Sequence, residues 1–144
     1  MQDSQRRILA AYPVTCRITT RVADMDGYGH LNAIRLCQFY EDSRAGFYRA
    51  VFGQVEGLRM PVVQMTVRYL AEGFWPGDVE LGTAASRVGN ASFETAQGLF
   101  QGGVCLGLCE TVMVYTEDGK SAPLPSQMRE ALDRARLRTE LIGA

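Results

Sequence analysis

Residues 14–23 are rich in β-branched side chains and predict a strand, which the loop formers of residues 24–29 break. A different period takes over at Ala33. Leu36, Cys37, Tyr40, Phe47, Tyr48 and Val51 recur at helical spacing, and Arg35, Gln38, Asp42 and Arg49 make a polar stripe. Ile34 and Phe39 fall off the main apolar face, so this helix is apolar over most of its circumference and has to be wrapped by other elements. After a break at residues 53–57 the period becomes two. Val63, Met65, Val67 and Tyr69 alternate with Gln64, Thr66 and Arg68, which predicts a half-buried strand, and residues 73–78 predict a turn. Further strands at residues 79–88, 92–101 and 104–116 are separated only by Gly89-Asn90 and Gly102-Gly103, and connections this short predict an antiparallel meander. Gly82, Gly98 and Gly107 within these strands predict strong curvature. A turn at residues 117–120 closes the sheet. Pro125-Ser126 then starts a terminal helix with Met128, Ala131, Leu132 and Ala135 on one face and Arg129, Arg134, Arg136 and Arg138 on a solvated one.

One helix wrapped by one sheet suits the length: 144 residues, 47% of them hydrophobic, make one domain over residues 1–144 with a real core. A net charge of -1 argues against nucleic acid as a partner, because that binding leans on a broad basic surface. Fourteen of the fifteen basic residues are Arg, so a phosphate-bearing ligand would be met by a local cluster. Residues 1–11 hold too short an apolar run for a signal peptide, and no segment approaches membrane-spanning length, so a cytoplasmic protein with no membrane partner is expected. Cys16, Cys37, Cys105 and Cys109 contain no Cys-x-x-Cys pair and sit among apolar neighbours, which predicts buried reduced thiols rather than zinc ligands or disulfides.

Candidate chemistry concentrates between the first strand and the long helix, in Val22-Ala23-Asp24-Met25-Asp26-Gly27-Tyr28-Gly29-His30-Leu31-Asn32. The stretch carries two carboxylates and the sole histidine of the chain. A helix N-terminus offers unpaired N–H groups and a positive dipole end, so a carbonyl placed there can be polarised while a nearby carboxylate attacks it or activates water. Acyl transfer or hydrolysis is the chemistry this layout suits. Asp26 either serves that chemistry or caps the loop, and Asp24 is expected to hold the loop through backbone hydrogen bonds. His30 could orient Asp26, contact the reacting group or fix the loop. Asn32 is the expected N-cap. A calcium loop fits poorly, because Gly27 follows Asp24 too early and the closing Glu is missing, and one His with two Asp is thin for a transition metal.

The motif Asp24-x-Asp26-x-x-Gly29-His30-Leu31-Asn32, followed by Phe39, Glu41 and Arg44, resembles that of the hot-dog acyl-CoA thioesterases, in particular the 4-hydroxybenzoyl-CoA thioesterase-like branch. Arg68-Tyr69-Leu70 before Gly77-Asp78, residues 87–93 and residues 118–125 resemble the strand ends and turns of the same family, in the same order. The resemblance implies an α+β hot-dog fold, with a long central helix wrapped by a curved antiparallel sheet and a short C-terminal helix. It implies hydrolysis of an acyl-CoA or acyl carrier protein thioester, with Asp26 as nucleophile or general base, His30 and Asn32 in the catalytic site, and no cofactor or metal. It places Gly29, Leu31, Ala33, Tyr69, Ser92 and Phe93 at the substrate, Ser92 and Phe93 facing the active site of a partner copy in a homodimer or homotetramer. Ala33 and Leu36 stand where relatives often have Asn and an aromatic residue. A further branch places a His seven residues after its Asp, where this chain has Ala33, so His30 does not inherit that role. The alternative is a hot-dog module that binds acyl thioesters without turning them over.

Overall fold

The computed structural model describes residues 3–139. A single helical turn, α1 (Asp3–Arg6), leads into β1 (Val14–Thr19), and the long helix α2 (Ala33–Phe52) follows. Then come β2 (Val62–Tyr69), β3 (Asp78–Val88), β4 (Ser92–Gln101) and β5 (Val104–Val114). A small hairpin of β6 (Thr116–Glu117) and β7 (Lys120–Ser121) precedes α3 (Ser126–Arg134). The five long strands form one antiparallel sheet in the order β1-β3-β4-β5-β2. No helix among the described residues is long and apolar enough to cross a membrane.

The meander β3-β4-β5 forms as expected, its second turn closed by Gly102 (φ 57°) and Gly103 (φ 81°). Two elements differ from expectation. The first strand stops at Thr19 rather than at residue 23, because Asp24 accepts from the Arg21 amide and winds residues 22–24 into a 3₁₀ turn. Residues 70–77 are not a tight turn between neighbours. Both edges of β3 are occupied, by β1 and β4, so the chain crosses from β2 on the far edge of the sheet. As an edge strand β2 is more exposed than its alternation implies, with Val62, Val63 and Tyr69 open to solvent.

Helix α2 packs on one face of the sheet through Leu36, Phe39, Tyr40, Ser43, Arg44 and Phe47, the i, i+3, i+4 spacing of a buried stripe. At its N-terminal end Leu31, Leu36, Phe39 and Tyr40 meet Val79, Leu81, Leu99 and Leu106. At its C-terminal end Phe47 meets Ala85, Phe93, Met113 and Leu132. The wrapping is one-sided, and Ile34 remains 70% exposed. Between the apolar clusters lies a buried polar layer. Ser43 and Thr83 share a 3.0 Å hydrogen bond, Gln97 Nε2 donates to the Tyr40 carbonyl at 2.9 Å, and the buried Arg44 guanidinium donates to Thr111 Oγ1 at 3.3 Å.

The opposite face of the sheet is covered by the N-terminal segment. Arg6 is buried against Glu110, and the Tyr12 hydroxyl donates to the Arg6 carbonyl at 2.7 Å. The strand glycines receive aromatic side chains. A Cβ at Gly82 would overlap the Tyr12 ring, one at Gly98 would come within 2.8 Å of its hydroxyl oxygen, and one at Gly107 would come within 2.8 Å of the Tyr40 hydroxyl. The arginines of α3 and the segment after it are not all free in solvent. Arg129 donates to the Gly89 carbonyl at 2.8 Å and Arg136 to the Ser86 carbonyl at 3.1 Å, which clasps the end of β3 and its turn. All four cysteines are free thiols, but only Cys109 is fully buried, while Cys16, Cys37 and Cys105 are half-buried at the margins of the core.

Candidate active site

The motif loop is anchored at both ends. Asp24 is 1% exposed, and its carboxylate accepts from the Arg21 amide at 2.8 Å and lies 3.2 Å from Arg21 Nη2 and 3.0 Å from Arg35 Nε. Its carbonyl accepts from the Asn32 amide at 2.8 Å. Asp24 therefore ties the start of the loop to the first turn of α2, as a structural residue. Asp24→Asn removes the charge that faces both guanidinium groups. With Arg21 largely solvated, the expected cost is about 1–2 kcal/mol of stability in urea unfolding.

Asp26 shows the loop-capping contacts that Asp favours in turns. Its Oδ1 accepts from the Tyr28 amide at 2.8 Å and the His30 amide at 3.1 Å, and its own amide donates to the His30 carbonyl at 2.8 Å. Gly29, at φ 86°, supplies the left-handed position that closes the loop. The His30 amide, followed by that of Tyr28, holds the Asp26 carboxyl below the usual carboxylate range. Asp26 is thus an anchored, ionised carboxylate. Capping and chemistry are compatible here, because both recorded hydrogen bonds fall on one oxygen and the group keeps access to solvent.

Asn32 is the N-cap of α2. Its Oδ1 accepts from the Ile34 amide at 2.8 Å. The Ala33 and Arg35 amides carry no hydrogen bond among the described residues, so the first turn presents open donors at the positive end of a 20-residue helix. Tyr69, at the end of β2, reaches this turn. Its hydroxyl donates to the Ala33 carbonyl at 3.1 Å and lies 3.5 Å from Cys37 Sγ. Loss of water around that hydroxyl and its contact with Cys37 push the Tyr69 pKa up to about 12, so the phenol stays protonated.

His30 meets two residues that sequence reasoning missed, both from the 70–77 crossing. Its Nε2 lies 2.8 Å from Glu72 Oε2, and its ring packs edge-to-face on Phe74 with centroids 5.4 Å apart. Gly73 lies between them and its carbonyl accepts from the Leu31 amide at 2.8 Å. A side chain at Gly73 would press on Leu31 and Leu106, so glycine is what lets the crossing sit this close. Gln101 holds Phe74 from the other side, accepting from its amide at 2.9 Å and donating to its carbonyl at 2.7 Å. The only sequence signal for these contacts is the turn composition of residues 73–78, which says nothing of their partner.

Tyr69 and Ala33 therefore meet at the helix start, and Asp26, Gly29 and His30 share the loop that enters it through Asn32. The Leu31 side chain points instead into the core, and its contribution to the site is its backbone. Ser92 and Phe93 lie elsewhere. The Phe93 ring is buried against Tyr48 and Phe52, at the opposite end of a helix that is roughly 30 Å long, and Ser92 beside it is half-buried. A shallow cleft of about 240 Å³ lined by Ala23, Asn32, Ile34, Arg35 and Gln38 opens beside the helix start. A larger cleft of about 460 Å³, between residues 55–59 and 115–119, contains none of the motif residues.

A long helix seated on a five-stranded antiparallel sheet, with a carboxylate loop at the helix N-terminus, is the hot-dog class of fold. The model of the thioesterase-like superfamily matches residues 20–132, and the chain belongs to that family. A predicted thioesterase from Bacillus stearothermophilus superposes with a TM-score of 0.80 at 27% identity, over 87% of this chain and 97% of its own. A thioesterase from Thermus thermophilus, crystallised with coenzyme A and Zn, superposes with a TM-score of 0.80 at 25% identity, over 87% of this chain and 95% of its own. A 1,4-dihydroxy-2-naphthoyl-CoA thioesterase from Synechocystis shares the fold at 16% identity, with a TM-score of 0.73 over 83% of this chain and 95% of its own. Among proteins of curated function, none matches the chain in sequence.

Proposed function

We propose that this protein hydrolyses acyl-CoA thioesters, or those of acyl carrier protein, to the free acid and thiol. The observations that carry the reading are the anchored, ionised Asp26 carboxylate in the loop that leads into α2 and the open Ala33 amide in the first turn of that helix. The thioester carbonyl oxygen lies against that amide, where the helix end stabilises the negative charge of the tetrahedral intermediate. Either Asp26 takes the proton of a water that attacks the carbonyl and the thiolate leaves, or Asp26 attacks the carbonyl itself, the thiolate leaves, and water cleaves the resulting Asp26 acyl anhydride to free acid and carboxylate. His30 assists, and Asn32 keeps the first turn in place while its cap occupies only the Ile34 amide. The crystallisation of the Thermus thermophilus relative with coenzyme A supports CoA as the leaving thiol. A free-thiol release assay across a panel of acyl-CoAs and acyl carrier proteins tests the reading. Binding without thiol release from any of them would establish the non-catalytic module in its place.

The active form is a homodimer or higher assembly. The outer edge of β2 supports this: residues 62–67 carry no charge, and Val62 and Val63 are exposed on an unpaired strand edge. The edge strand β1 differs, since Arg17 beside Asp78 and Glu80 places charge along it. A second copy is also the only route by which Ser92 could approach the site. Light scattering at micromolar concentration should give a mass at least twice the 15.9 kDa of the chain. Val63→Lys, which puts a charge on that edge, should shift the mass toward the monomer; a wild-type monomer would overturn the assembly.

A further inference from the structure

The sole histidine does not face solvent alone. Three consecutive residues of the 70–77 crossing meet the loop: Glu72 Oε2 lies 2.8 Å from His30 Nε2, the Gly73 carbonyl accepts from the Leu31 amide, and the Phe74 ring abuts the imidazole. Gln101 in turn fixes the Phe74 backbone through its amide and its carbonyl. Such a set of contacts orients a ring more than it stabilises a fold, because the Glu72 side chain is 63% exposed and an exposed pair adds little to stability. The charged groups recorded against the imidazole are Glu72 from the crossing and Asp26 from its own loop.

We infer that Glu72 is a positioning residue for His30, committing Nε2–H to its carboxylate so that any bond His30 makes to the thioester uses Nδ1. The inference rests on the proposed role of His30 in the site. A carboxylate that accepts from one imidazole nitrogen selects the tautomer and fixes the ring plane, and Phe74 removes the remaining rotation. Position rather than charge is the asset. An amide oxygen at the same place would therefore serve nearly as well, whereas truncation would leave the ring free to turn about its side-chain bonds.

The test compares Glu72→Ala, Glu72→Gln, His30→Ala and the double variant. Glu72→Ala should lower kcat about tenfold with KM little changed, the scale typical of lost orientation. Glu72→Gln should recover most of that loss, and Glu72→Ala should add nothing in the His30→Ala background. Because the chain has one histidine, its ring gives a single set of ¹H–¹⁵N signals. Wild type and Glu72→Gln should show a slowly exchanging Nε2–H, and Glu72→Ala should lose it. Additive losses in the double variant, or ring signals indifferent to Glu72→Ala, would overturn the inference. An active His30→Ala enzyme would instead overturn the site role of His30, whereas a defective His30→Ala beside a fully active Glu72→Ala overturns only the positioning role.

Discussion

Asp26→Asn is expected to reduce thioester hydrolysis at least a hundredfold while the protein unfolds at nearly the wild-type midpoint. The asparagine side-chain oxygen can still accept from the Tyr28 and His30 amides, so the loop keeps its shape. What disappears is the negative charge, and with it the proposed role of Asp26 as nucleophile or general base. A general base contributes roughly 10² to 10⁴ in rate, or about 3–5 kcal/mol of barrier. The pH dependence has a definite sign. A carboxyl whose pKa is lowered stays ionised to a pH below the ordinary value of 3.8, so activity on the acid side should persist until the carboxyl protonates or the fold fails. The same depression favours the folded state at neutral pH and is lost as pH falls through the folded pKa. Near-wild-type hydrolysis by Asp26→Asn on the best substrate would remove Asp26 from the mechanism.

Tyr12→Ala should produce the largest loss of stability, about 3–5 kcal/mol, with thermal unfolding shifted down on the order of 10 °C. The ring is 2% exposed and lies over Gly82 and Gly98, which carry no side chains to relax into the space it would leave. Leu9, Ala11, Phe100 and Leu137 pack around it, so its loss also loosens the cover over the outer sheet face. Tyr12→Phe isolates the hydroxyl. It keeps the ring, loses only the 2.7 Å bond to the Arg6 carbonyl, and should cost about 1 kcal/mol. Calorimetry of the two variants separates packing from hydrogen bonding. An alanine variant as stable as wild type would mean that the N-terminal segment contributes nothing to the core.

Much of the architecture was legible because it depends on local chemistry. The helix over α2 follows from its apolar period and from Asn32, whose cap needs only the Ile34 amide two residues on. The meander follows from two short glycine-bearing turns, and the Asp26 turn from carboxylate and amides within four residues. The strand glycines were visible, but their purpose was not. Period and propensity cannot say that Tyr12 will lie over Gly82 and Gly98, some 70 and 86 residues away, or that Tyr40 will approach Gly107.

By itself, then, the sequence determined the elements, the family and the carboxylate loop at a helix start, because each rests on residues a few positions apart. Only the tertiary structure decided which strand is the open edge, because β3 has two edges and β1 and β4 occupy both. It also decided that Glu72, 42 residues beyond His30, meets the imidazole, since the crossing from β2 to β3 must pass the mouth of the loop. It separated the two carboxylates as well. Asp24 is drawn inward between two arginines, one of them on α2, while Asp26 is held only by its own loop and remains open for chemistry.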